Sequence, residues 1–192
     1  MISWSRLSAC HAGILAGILS LAACTRTPPL PLLGEVPQFQ LVSQTGQPFD
    51  SRSLDGHIWV ADFFYTTCTG PCPMMSSEMR RLQTETAGMS GVRLVSFTVD
   101  PAHDTPPVIA AYAKNFKQDP ARWTLLTGEQ PVLNDLGLHT FKLNSVDGSL
   151  GHSTRFVLID RRRQIRGYYL FGEDDFRRSL LRDIRRLERE PS

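Results

Sequence analysis

WVADFFYTTCTGPCPMMSSEMRRL, residues Trp59 to Leu82, changes character twice along its length. Trp59 to Tyr65 is a short, aromatic-rich apolar run whose only charge is Asp62, a pattern that predicts a buried strand. Beyond Pro73, Met75, Met79 and Leu82 recur at helical spacing and predict a helix with these side chains in the core. Cys68 and Cys72 lie between, in a small polar loop broken by glycine and proline, so two thiols stand at a strand-to-helix junction. A helix N-terminus offers free backbone N–H groups and the positive end of the dipole, which favours thiolate at both cysteines. Four residues of helix would set their Cα atoms about 6 Å apart, within disulfide range. The same two sulfurs could close on each other or on a metal ion.

The chain has 192 residues, a one-domain length, with 41% hydrophobic and 21% charged residues. Its formal net charge of +2 is too small to point to a nucleic-acid partner. Residues 1–23 join Arg6 to an apolar stretch from Ala12 to Ala23 and read as a signal peptide, too short for a membrane span. Leu21-Ala22-Ala23-Cys24 resembles the lipobox of bacterial lipoproteins, which implies cleavage before Cys24 and lipidation of its sulfur. Residues 24–34 then form a lipidated cysteine and a proline-rich tether, and residues 35–192 a single domain. The expected location is the bacterial cell envelope, lipid-anchored, with the domain in the periplasm or on the outer face of the cytoplasmic membrane. With Cys10 removed and Cys24 acylated, Cys68 and Cys72 are the only thiols left in an oxidising compartment.

From Val36 the elements alternate. Gln38 to Val42 and a partner near Phe49 flank Gln44-Thr45-Gly46-Gln47 as an N-terminal hairpin. Val92 to Val99 predicts a second buried strand, followed by a helix opening at Asp104-Thr105-Pro106-Pro107, with Asp104 or Thr105 as its cap. Trp123 to Leu126 predicts a strand, Glu129 to Leu136 a short helix and His139 to Leu143 a strand. Phe156 to Asp160 and Ile165 to Leu170 flank a basic turn as a second hairpin. The last helix is expected from about Glu173 to Glu188, with Phe176, Leu180, Ile184 and Leu187 on its apolar face. Its arginines, Arg177, Arg178, Arg182, Arg185, Arg186 and Arg189, read as a solvated face. The pattern is that of a thioredoxin-like three-layer α/β/α sandwich.

Two thiolates leave a metal short of donors. His57, His103 and His139 read as surface, turn or edge residues, whereas His152 lies in Asp147-Gly148-Ser149-Leu150-Gly151-His152-Ser153, a loop feeding a strand, where ligands are commonly presented. CTGPCP (Cys68 to Pro73), VDPAHDTP (Val99 to Pro106) and GHSTRFVLID (Gly151 to Asp160) together resemble the three signatures of the Sco/SenC proteins, copper-binding and thioredoxin-like, which act in cytochrome c oxidase assembly. The resemblance spans roughly residues 35–190. It implies that Cys68, Cys72 and His152 bind copper, as Cu(I) or Cu(II), and that the recipient is a copper-receiving subunit of cytochrome c oxidase or another copper protein. Soft thiolates and an imidazole suit copper, although zinc accepts the same donors. Asp100 matches an acidic position of the second signature and is a candidate to support the ligands without touching the metal.

A thioredoxin-type oxidoreductase would space its cysteines by two residues, not three, and would place a cis-proline where Gly151-His152 stands here. A peroxiredoxin would carry threonine at the position of Tyr65. The favoured reading is therefore a copper metallochaperone. The alternative is an extracytoplasmic thiol–disulfide oxidoreductase that uses Cys68 and Cys72 as a redox disulfide to reduce a copper-site apoprotein.

Overall fold

The computed structural model describes residues 28–191. The expected signal peptide, Cys24 and the first part of the expected tether lie outside these residues. The strands are β1 (Gly34–Glu35), β2 (Gln40–Ser43), β3 (Pro48–Asp50), β4 (Ile58–Phe64), β5 (Val92–Thr98), β6 (Trp123–Thr127), β7 (Arg155–Ile159) and β8 (Gln164–Leu170). The α-helices are α1 (Cys72–Glu85), α2 (Pro106–Asn115), α3 (Gln130–Asn134) and α4 (Phe176–Arg189). One eight-stranded sheet runs in the order β1-β8-β7-β4-β5-β6-β2-β3.

β4 is at its centre because no residue in it demands solvent except Asp62, and all seven are buried. It pairs parallel to β5 from Ile58↔Val92 to Phe64↔Thr98. β5 is in turn parallel to β6. Parallel neighbours need crossovers, and α1 and α2 supply them. The two expected hairpins are present: β2 pairs with β3, turning at Gly46 with φ 76°, and β7 pairs with β8. β7 returns antiparallel to β4.

The sheet separates two cores. On one face Ile58, Val60, Phe64, Val92 and Leu94 meet Met75, Met79 and Leu82 of α1, Ile109 and Ala113 of α2, and Leu180, Ile184 and Leu187 of α4. On the other, Trp59, Ala61, Phe63, Val95 and Phe97 meet Leu133, Leu136 and Phe141. The apolar rows expected of α1 and α4 are thus the buried ones. In α4 the row also encloses Asp183, which accepts a hydrogen bond from Tyr169 Oη at 3.0 Å.

Three expectations are corrected. His139 to Leu143 is not a strand: α3 continues as a wider π-helical turn over Asp135–Thr140, and Lys142 has φ 54°. Its polar–apolar alternation looked extended, but packing decides otherwise, since Phe141 is driven into an aromatic cluster with Trp59, Phe63 and Phe97 at centroid distances of 6.1, 5.7 and 5.6 Å. Gly137 permits that turn to approach the following loop, for a Cβ there would meet the Asn144 carbonyl oxygen at 2.6 Å. Thr105 does stand at the N-cap of α2, but neither it nor Asp104 caps the helix with a side-chain hydrogen bond. α4 begins at Phe176 rather than Glu173, so Glu173, Asp174 and Asp175 precede it.

Candidate metal centre

Chain topology brings the three sequence-selected donors together. β4 ends at Phe64 and α1 starts at Cys72, so Cys68 sits in the intervening loop and Cys72 opens the helix. β7 runs back along β4 with Trp59 opposite Ile159 and Ala61 opposite Val157. Carrying that register onward sets Ser153 across from Tyr65, which delivers His152 to the cysteine loop. Cys68 Sγ, Cys72 Sγ and a His152 ring nitrogen all lie within 4.8 Å of one another, and they are the one such cluster among the described residues. Both cysteines are free thiols. His57 stands beside the Asp55 carbonyl, and His103 and His139 are exposed, outside the cluster.

The histidine tautomer follows from its neighbours. His152 Nδ1 is 3.0 Å from the Ser153 carbonyl oxygen, which can only accept, so Nδ1 carries the proton. Nε2 is then a lone pair directed at Cys72 Sγ, 2.9 Å away, so the single S–H proton of Cys72 is shared between Nε2 and the Cys68 sulfur. Burial lowers the His152 pKa, with the Ser153 carbonyl opposing in part, so the imidazole is held in the neutral form that a metal requires.

The two thiols diverge, contrary to the expectation that the helix terminus lowers both. Burial opposes ionisation of Cys68, but hydrogen bonds from the Cys72 thiol, the Cys72 and Gly70 backbone N–H groups and the Tyr65 hydroxyl together prevail and lower its pKa. Cys72 is pushed well up, first by its burial and then because it is the donor to Cys68; nearby Asp62 adds to the effect. Its side of the pair is fully enclosed, so desolvation outweighs the helix dipole there.

Around the donors stand residues whose roles the sequence did not disclose. Tyr65 donates to Cys68 and sets its ring edge-on to His152 at 5.6 Å and 82°. The one signal for it was its position three residues before Cys68. Asp104, wholly buried, accepts from the Thr66 backbone N–H at 3.3 and 3.2 Å, from the Thr66 hydroxyl, and from Thr98 Oγ1 at 2.5 Å. It thereby ties the loop after β5 to the loop that carries Cys68. Asp100, the acid singled out in the sequence, accepts from the His103 N–H at 3.4 Å, and its own N–H donates to Thr98 Oγ1 at 2.9 Å. Asp62 lies beneath the site with Oδ1 taking the Ser96 hydroxyl proton at 2.5 Å and Oδ2 unpartnered. Burial pushes its pKa up to about 7. Met74 is exposed, while Met75 and Met79 fill the core.

Two thiol sulfurs and a neutral imidazole nitrogen in one cluster form a soft, three-donor set suited to a thiophilic ion. The family model described as SCO1/SenC matches residues 33–188 of this chain. A protein of Stutzerimonas stutzeri, named as a candidate copper-binding protein, is 33% identical over 147 residues, spanning 72% of this chain and 71% of that one. The crystal structure of a SCO1/SenC family lipoprotein from Bacillus anthracis shares 32% identity and a TM-score of 0.75, covering 82% of this chain and 97% of that chain. The structure of BsSco, described with a disulfide switch and as a member of the Sco family of cytochrome c oxidase assembly proteins, shares 27% identity and a TM-score of 0.74, covering 85% of this chain and 100% of that chain.

Proposed function

We propose, from the premise that the chain belongs to the SCO1/SenC family, that it is a membrane-tethered copper carrier. Cys68, Cys72 and His152 take up a copper ion as cargo and pass it to a copper-receiving subunit of cytochrome c oxidase or another copper protein. The observation that carries this reading is the convergence of two sulfurs and an unprotonated Nε2 within 4.8 Å. Thiolates suit Cu(I), and the imidazole extends the site to Cu(II). Copper uptake displaces the proton that Cys72 shares with His152, so loading releases acid. The lipobox-like Leu21 to Cys24 is the source of the tether, in keeping with the lipoprotein relative.

The unequal thiols favour a second activity of the same pair. Cys68 is the better attacking thiolate; it would open a partner disulfide to a mixed disulfide, releasing the partner's first thiolate. Cys72, once its proton has passed to solvent, would then displace the second, leaving the partner reduced and Cys68–Cys72 oxidised. Chaperone and reductase part company at His152. We expect His152→Ala to weaken Cu(II) binding at least tenfold, about 1.4 kcal/mol, as read by competitive titration. The same variant should keep most of its capacity to reduce a small aromatic disulfide. Unchanged Cu(II) affinity in the variant would remove His152 from the ligand set. Full rescue of oxidase activity by it at limiting copper, with none from Cys68→Ser, would make thiol chemistry the whole function.

A further inference from the structure

The basic half of α4 is a surface that the site chemistry does not use. Arg182, Arg185, Arg186 and Arg189 recur at i, i+3, i+4 and i+7, so they form one stripe along the helix, opposite the buried Leu180, Ile184 and Leu187. Arg162, in the β7–β8 turn, lies beside the stripe and shares with Arg182, Arg186 and Arg189 the lining of an open groove of about 1280 Å³. The guanidinium groups of Arg162, Arg185 and Arg189 have no partner among the described residues. The acids within the groove are already engaged: Asp183 by Tyr169 and Arg182, Glu190 by Arg166.

The chain enters the domain at the same groove. Pro28, Pro29 and Leu30 line it, and the buried Arg166 fixes the entry by donating to the Leu30 and Pro31 carbonyl oxygens, each at 3.0 Å. Arg161 in turn donates to the Leu187 carbonyl at 2.6 Å, so the end of α4, the β7–β8 turn and the tether are one corner of the molecule. That corner lies beyond the N-terminal end of β4, because β7 is antiparallel to it, while the cysteine loop follows the C-terminal end. Seven residues of strand, about 20 Å, separate the two.

We infer that the arginine stripe of α4, with Arg162, rests on an anionic phospholipid bilayer and stands the domain upright with its copper loop turned away from the lipid. The inference rests on the reading of Cys24 as the lipidated residue that holds the chain at a membrane. A fixed entry point directs any such anchor to this corner, and five clustered arginines complement lipid phosphates at that distance.

Mature protein acylated at Cys24 and reconstituted in nanodiscs tests it, with phosphatidylcholine alone or mixed two to one with phosphatidylglycerol, each doped with dansyl-labelled lipid. Energy transfer from the buried Trp59 and Trp123 reports the height of the domain, since cleavage before Cys24 removes Trp4, the remaining tryptophan. We expect greater transfer in the anionic discs, falling to the neutral value in 0.5 M salt, where screening extends only about 4 Å. Each arginine contributes about fivefold to surface partitioning. R182Q/R185Q/R186Q/R189Q should therefore abolish the difference between discs. R162Q/R185Q/R189Q, which breaks no internal pair, should reduce it sharply while copper uptake is unchanged. Equal transfer in both discs overturns the inference, as does a difference that survives both variants. Equal transfer with salt-sensitive binding of polyglutamate would assign the stripe to an acidic protein instead. Loss of the wild-type chain from neutral discs would overturn the anchoring reading alone, and flotation of the same protein with anionic vesicles then judges the stripe.

Discussion

Asp62 is a carboxyl group placed where water cannot reach it, with one oxygen bonded to Ser96 and the other to nothing. Its pKa of about 7 in the folded chain, against 3.8 ordinarily, means the native state holds a proton that the unfolded state gives up. Stability from this group is therefore fully present below about pH 4 and is lost as pH rises to about 7. In Asp62→Asn that loss should vanish, and the difference in unfolding free energy between wild type and variant should change by a few kcal/mol across this window. Urea unfolding at pH 4, 5.5 and 7 measures it; parallel curves for the two proteins would contradict the assignment. At this scale the sequence was most informative where residue type itself is chemistry. Cys68, Cys72 and His152 could be named because few side chains bind soft metals, whereas Asp104 looked like a helix cap because its true partner, Thr66, is 38 residues away.

Between elements, the Asp104 carboxylate joins the start of α2 to the loop after β4, so the metal loop inherits the rigidity of the sheet. Asp104→Ala leaves two threonine hydroxyls and a backbone N–H without their acceptor. We expect a loss of about 1–3 kcal/mol in stability and of roughly 10–100-fold in copper affinity, the usual effect of removing a group that orients ligands. Asp100→Ala, which releases only the long contact to His103, should cost much less; equal effects would move the supporting role to the earlier acid. The same dependence on distant packing explains which elements could be read in advance. β4, β5 and both hairpins carry their signals locally, as apolar runs and turn residues. The π-helical turn does not, because Phe141 joins it only when Trp59, Phe63 and Phe97 are present to receive the ring.

For the molecule as a whole, the proposed copper site and a Cys68–Cys72 disulfide would compete for the same sulfurs. Fully oxidised protein should show no tight copper binding, and undiminished binding after oxidation would contradict the sulfur ligands. Reduced protein with free copper at 100 times Kd should gain about 2.7 kcal/mol, a rise in Tm of roughly 5–10 °C for a domain of this size. The three-layer architecture was legible because strands and helices alternate along the chain; the thinness of the layer around α3 was not, since loops and a π-helical turn supply most of it. The sheet closes on β1 and β3, strands of two and three residues, the latter beginning with Pro48. Rims this brief offer no backbone ladder for another chain to extend. Copies crowded on one surface therefore cannot zip together along their sheets, and any protein that docks here must engage side chains and loops rather than add a strand.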